Sequence, residues 1–167
     1  MIGYSHIIIG LGVASVAPVS IFTNDLELTI INMGVVILFS LVPDLDHPKS
    51  MITRILFPFI PVSYLIYKFF GHRTLTHSFI FWLLLSVLLF SLLSKELALL
   101  AALSYLSHIM ADVVSMSGVK FWYPFNDRKL SFGNLMINGL GEKIVVLIFL
   151  ILFIFMEYQN IFKIIGV

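Results

Sequence analysis

Cysteine is absent from the 167 residues. That excludes a disulfide framework and any thiolate metal site, and it leaves His, Asp and Glu as the ligand types on offer. Charge is scarce as well: 11% of residues are charged and 60% are hydrophobic, with a mean hydropathy of +1.06. Soluble domains carry about 25% charged residues, so this chain lacks the polar surface that a water-facing globule needs. The composition predicts an integral membrane protein. A net charge of +1 comes without the basic stripe of a nucleic-acid binder, which excludes that class of partner. The N-terminus, Met1-Ile2-Gly3-Tyr4-Ser5-His6, has no positive stretch and no clear small-residue cleavage site, so it reads as a retained first helix. Repeats and low-complexity tracts are also missing, and residues 1–167 read as a single membrane-embedded domain.

What is present is apolar segments separated by polar clusters. Segment one runs from about Gly3 to Phe22 and is rich in small residues, which suit close helix–helix approach in lipid. Segment two, about Leu28 to Val42, is stopped by Pro43. It is short against the ~20 residues that a span needs. Pro43 to Ser50 is a rigid loop. Met51 to Phe70 is apolar but interrupted by Pro58 and Pro61, and reads as an interfacial or re-entrant helix. Segment three runs from His77 or Ser78 to Ser94, and segment four from about Leu97 to Val114. Ser115 to Gly141 is a loop whose aromatics suit a membrane–water boundary. Segment five runs from Glu142 or Lys143 to about Tyr158. The expectation is an all-α polytopic protein with about five transmembrane helices plus the interfacial or re-entrant one.

Charge bias orients these segments. With five spans, Lys49, Arg54, Lys68, Arg73, Lys120, Arg128, Lys129 and Lys143 share one face, while Lys95 and Lys163 lie on the other. The positive-inside rule puts the larger set on the cytoplasmic side.

The same topology gathers the remaining polar groups. His72-Arg73-Thr74-Leu75-Thr76-His77-Ser78 is a polar island between two apolar runs, which is costly at a membrane and marks function by default. Asp44, Asp46 and His47 sit between Pro43 and Pro48. His108 and Asp112 are four apart, so they share one helix face. His6 opens segment one and Glu142 opens segment five. All five histidines and a set of acids thus fall at one depth on the cytoplasmic face. Each has a bland reading: His6 as an interfacial residue, Asp44 and Asp46 as caps, Glu142 as a carboxylate favoured by a helix dipole, Arg73 as a headgroup anchor. Taken jointly, the bland readings require the whole set to assemble by accident.

So many N and O ligands exceed the four of a tetrahedral zinc and suit two or three divalent ions. Paired ions ~3.5–4 Å apart clamp both oxygens of a phosphoester displacement and lower the pKa of water towards ~7. Asp44 or Asp112 is the candidate bridging carboxylate, and Arg73 the natural partner of a phosphate oxygen.

At LVPDLDHPKS (Leu41–Ser50), GHRTLTHS (Gly71–Ser78), YLSHIMADVVSMSGV (Tyr105–Val119), the following Trp122-Tyr123-Pro124, His6 and Glu142, the chain resembles the YdjM-like family of membrane-bound metal-dependent hydrolases. Thr74 departs from the glycine usual after the His-Arg pair of that family. The family is similar at a distance to the zinc-dependent phospholipase C superfamily, whose His-x3-Asp pattern His108 and Asp112 match. The resemblance implies a metal-dependent hydrolase of a prokaryotic inner membrane acting on a phospholipid or another membrane phosphoester. The implied ligands are His6, Asp44, His47, His72, His77, His108, Asp112 and Glu142, with zinc as the metal. Asp46 would be a further ligand or the general base, and Arg73 would hold phosphate. Thr76 and Ser78 would orient the ligands. The competing classes are a metal transporter, disfavoured by the apolar distal halves of the segments, and a metal-stabilised structural protein.

Overall fold

The computed structural model describes residues 1–165, and side chains up to Phe162. Lys163, counted in the charge bias, lies outside the described side chains. Among the described residues seven α-helices form: α1 (Gly3–Ser15), α2 (Leu26–Phe39), α3 (Met51–Ile55), α4 (Ile60–Phe70), α5 (Phe79–Leu92), α6 (Lys95–Val114) and α7 (Leu140–Ile165). Two 3-10 turns, Val42–Asp46 and Phe57–Phe59, link them. Among the described residues there is no extended strand, so the fold is all-helical, as the sequence predicts.

The helix starts are written locally. Asp25 caps α2 by accepting from the backbone N–H of Glu27 at 2.8 Å. Ser50, Ser78 and Ser94 cap α3, α5 and α6 in the same way. Pro43 ends the helical run of α2 and opens the 3-10 turn that carries Asp44 and Asp46. Gly71, at φ 75°, ends α4 in a conformation that favours glycine.

Helix α6 is the central post. It packs against α1, α2 and α5, while α1 also packs against α2 and α7. Alanines and serines let α6 sit inside: Ala98, Leu100, Ala101, Ser104, Tyr105, His108 and Asp112 are all fully buried. Gly12 permits the α1–α7 contact, since a Cβ there would lie 2.7 Å from the carbonyl oxygen of Phe149. By contrast α7 shows its apolar residues to the outside, with Ile144, Leu147, Ile148, Ile151 and Phe155 all exposed.

The expected count of five spans meets a length limit. Of the described helices, α6 and α7 are long and apolar enough to cross a membrane. Helices α1, α2 and α5 have 13, 14 and 14 residues, about 20 Å at 1.5 Å per residue, against a hydrocarbon core ~30 Å thick. The apolar runs continue beyond the helices. Residues 16–22 are apolar yet form turns before Asp25, because Pro18 cannot continue the α1 hydrogen-bond ladder. Residues 51–70, expected as one element, divide into α3, a 3-10 turn at Pro58 and α4. Of the α4 side chains only Ser63 is buried.

Candidate metal centre

Four pieces of backbone meet at one end of α6. The last turns of α6 supply His108 and Asp112, and α1 supplies His6. The 3-10 turn after α2 supplies Asp44 and Asp46. The loop between α4 and α5 supplies His72, Arg73, Thr76 and His77. That loop is fastened from both sides. The phenol of Tyr105 on α6 donates to the Thr76 carbonyl at 2.6 Å, and the Lys120 N–H donates to the Arg73 carbonyl at 3.0 Å. Arg73 sits at φ 62°, a left-handed conformation that side-chain-bearing residues adopt at some cost.

The inner group is His6, Asp44, His77, His108 and Asp112. The Nε2 atoms of His77 and His108 lie 3.7 and 3.6 Å from the same Asp44 oxygen, Oδ1. They lie 3.5 and 3.8 Å from Asp112 Oδ2. His6 stacks on His108 with ring centroids 3.6 Å apart, and its Nε2 is 3.5 Å from Asp112 Oδ1. These distances exceed hydrogen bonds, and the atoms are buried without partners: both ring nitrogens of His6, Nε2 of His77 and His108, and Oδ2 of Asp112. Buried polar atoms are normally paired, so a convergent set of orphans is informative. Two ligand sets, His6–Asp44–His108 and His77–His108–Asp112, each offer atoms within 4.8 Å of one another.

Beside it, Asp46 is fully occupied. Its Oδ1 contacts His72 Nδ1 at 2.7 Å. Its Oδ2 accepts from the Arg73 N–H at 2.9 Å and the Thr76 hydroxyl at 2.8 Å, and lies 3.2 Å from His77 Nδ1. On the other side, His108 Nδ1 lies 2.7 Å from the Ser40 carbonyl. A carbonyl or a carboxylate only accepts, so Nδ1 of these imidazoles carries a proton, which leaves Nε2 as the nitrogen whose lone pair a metal ion would take in place of a second proton. A third ligand set, Asp44–Asp46–His72, shares Asp44 with the inner group.

Electrostatics follow from this packing. Burial opposes ionisation of Asp44, but the facing His108 and His77 outweigh it and hold its carboxyl well below the usual range. Burial is likewise outweighed at Asp46 by the bonds to His72 and His77, and its carboxyl too stays low. Burial alone would lower His77, yet Asp44 and Asp46 reverse the sign and push it up to about 9. Outside the group, His47 is lowered by burial and then by His72. A buried pocket of carboxylates that draws a proton onto an imidazole is one that favours a cation.

Two expected ligands are not brought in. Glu142 is buried but saturated by neutral donors: Oε1 accepts from the Ile2 N–H at 2.9 Å and the Ser5 hydroxyl, and Oε2 from the Asn138 N–H at 2.8 Å. It clasps the start of α1 to the start of α7. His47 stands at the rim, its ring 4.9 Å from that of His72 and its Nδ1 accepting from the Lys49 N–H at 3.2 Å. Arg73 is in the site, with Nη2 donating to Asp112 Oδ1 at 2.9 Å and Nε unpartnered. The backbone nitrogen of Met1 contacts the same Asp112 oxygen at 2.8 Å, a partner that no sequence pattern signals. Thr76 donates its hydroxyl to Asp46, whereas Ser78 is an N-cap, accepting from the Phe81 N–H at 3.2 Å. A cavity of about 580 Å³ opens over the cluster, lined by Asp44, His47, Lys49, Arg54, His72 and Arg73 among others.

The inner membrane protein YdjM of Escherichia coli (strain K12) is 39% identical over 97 residues, 53% of this chain and 46% of that protein. The uncharacterized protein YvsG of Bacillus subtilis (strain 168) is 31% identical over 90 residues, 53% of this chain and 54% of that protein. The chain therefore spans about half the length of these curated relatives. No solved structure matches it. The family described as "YdjM inner membrane protein" matches residues 1–164, nearly the whole chain, and this protein belongs to that family of inner membrane proteins.

Proposed function

We propose that this protein is a membrane-bound, metal-dependent hydrolase of phosphoesters, with its site at the cytoplasmic face of a five-span helical bundle. One observation carries the reading: Nε2 of His77, Nε2 of His108 and Oδ2 of Asp112 are buried without partners and converge, with Asp44 Oδ1 at 3.7 and 3.6 Å from the same two imidazole nitrogens. This donor set fits a divalent ion such as zinc. His77, His108, Asp112, Asp44 and His6 would hold metal in the inner position. Asp44, which both ligand sets share, and His72 would serve an adjacent one.

Bound there, zinc supplies Lewis-acid charge and a water of lowered pKa. The chain's own residues do the rest. Asp46 fixes the tautomer and tilt of His72 and His77, an orienting role that its saturated oxygens support better than that of ligand or base. Arg73, anchored on Asp112 through one Nη, retains donors for a phosphate oxygen. Lys49 and Arg54 line the cavity above and add positive charge for an anionic headgroup. The short helices α1, α2 and α5 span by thinning the bilayer locally, and α4 lies in the interface.

The Arg73–Asp112 pair also favours a second reading, a structural site closed by its own cation. Metal analysis of the purified protein, with a phospholipid hydrolysis assay, separates the two. Retained zinc, with hydrolysis that a chelator abolishes and zinc restores, is the expected result. Protein that stays metal-free after supplementation, or binds metal tightly and never hydrolyses, overturns the proposal.

A further inference from the structure

A second cavity, of about 260 Å³, lies between α1, α6 and α7 and is lined by Ile9, Val13, Leu103, Met110, Val145 and Phe149 among others. Its one polar lining residue, Ser107, offers a ligand no donor, since its hydroxyl proton is committed to the Ser104 carbonyl at 2.7 Å. Any polar group placed there would lose its hydrogen bonds. The cavity borders the metal centre in two ways. Met1 lines both it and the polar cavity over the cluster, and its wall residue Ala111 directly precedes Asp112 on α6.

We propose that this cavity holds the hydrocarbon tail of an amphiphile whose phosphate occupies the polar cavity, with the boundary between head and tail at Met1. The inference rests on the reading of the cluster as a phosphoester site. It adds where the tail goes, and therefore that the substrate is a lipid rather than a soluble phosphoester. The size selects a chain over other apolar occupants. At ~30 Å³ per small group, the space takes roughly nine methylenes, whereas a helix about 10 Å across cannot enter. The juxtaposition selects a phosphate-bearing amphiphile: Lys49, Arg54 and Arg73 on one side of Met1, and a lining that is apolar apart from Ser107 on the other.

The test uses the zinc-supplemented full chain in lipid nanodiscs and phosphatidic acid with a diazirine part-way along one acyl chain. After illumination, mass spectrometry locates the adducts. Adducts on Val13, Leu103 and Met110 are expected. Filling the cavity with Val145→Trp, or with Val13→Phe should the first fail to fold, should remove most of them. Adducts on outward-facing Ile148, Ile151 and Phe155, and the zinc content, should be unchanged. Adducts confined to that outward face, or undiminished by the filling variants, overturn the tail slot. Its failure is distinct from that of the hydrolase. Hydrolysis of a water-soluble phosphoester without cavity adducts sinks the slot alone, and cavity adducts without any hydrolysis sink the hydrolase alone.

Discussion

Asp112 and Glu142 are both buried carboxylates beside the first residues of the chain, and they are built oppositely. Glu142 lies in the first turn of α7, where the helix dipole favours a negative charge. Three neutral donors saturate it. Asp112 lies in the last turns of α6, where the dipole opposes it. It is held by the Arg73 guanidinium and the Met1 nitrogen on Oδ1, and its Oδ2 is left with imidazoles at 3.5 and 3.8 Å. A carboxylate satisfied by N–H groups is a fastening. A carboxylate placed against its helix dipole, with an oxygen in reserve, is what the proposed metal site calls for.

The largest effect should come from Asp112→Asn. It keeps the shape and removes the charge that Arg73 needs, and breaking a buried pair typically costs ~3–5 kcal/mol. Zinc retention and hydrolysis should both be lost, together with a lower melting temperature in detergent. A variant that keeps its zinc would erase the contrast with Glu142.

Asp46→Asn comes next. It leaves every proposed inner ligand in place and removes the acceptor that fixes His72 and His77. Loss of such an orienting group typically weakens metal affinity ~10–100-fold. Titration against a competing chelator reads it, and zinc at saturating concentration should restore much of the activity. An unchanged affinity would return Asp46 to the role of general base.

These two residues show what the sequence could and could not reveal. His108 and Asp112, four apart on a helix, declare a shared face. The gathering of His6, Asp44, His72 and His77 followed from helix order and charge bias alone. The role of Asp46 was illegible, because its donors include the Arg73 backbone N–H, and backbone direction in a loop has no side-chain signature. Glu142 was misplaced for a related reason. An acid in a first helical turn reads equally as ligand or as fastening until its donors are known, and two of them are backbone amides. The length of α1 was overestimated because hydropathy runs on through residues 16–22, which form turns, whereas α2 is about as short as expected but begins and ends earlier in the chain.

Glu142→Gln probes the other side of the comparison. The amide turns one acceptor into a donor facing an N–H, which leaves a buried donor unsatisfied at about 1–3 kcal/mol. The melting temperature should fall while zinc content and affinity stay at wild-type values. Loss of zinc here would return Glu142 to the ligand set.

The smallest effect belongs to Ser78→Ala, at the end of the polar island. Ser78 shares that stretch with His72, Arg73, Thr76 and His77, yet its hydroxyl donates to the Leu75 carbonyl at 2.9 Å and accepts from the Phe81 N–H. Removing an N-cap costs ~1 kcal/mol, and the start of α5 should fray slightly. His77 is held independently by Asp46 and, through the Thr76 carbonyl, by Tyr105, so zinc affinity should not move. Hydrogen exchange at the amides of residues 79–81, measured beside zinc binding, reads both at once. Faster exchange with unchanged affinity separates the fastening from the ligands within a single stretch of chain. A fall in affinity would mean that His77 is positioned by the α5 cap rather than by Asp46.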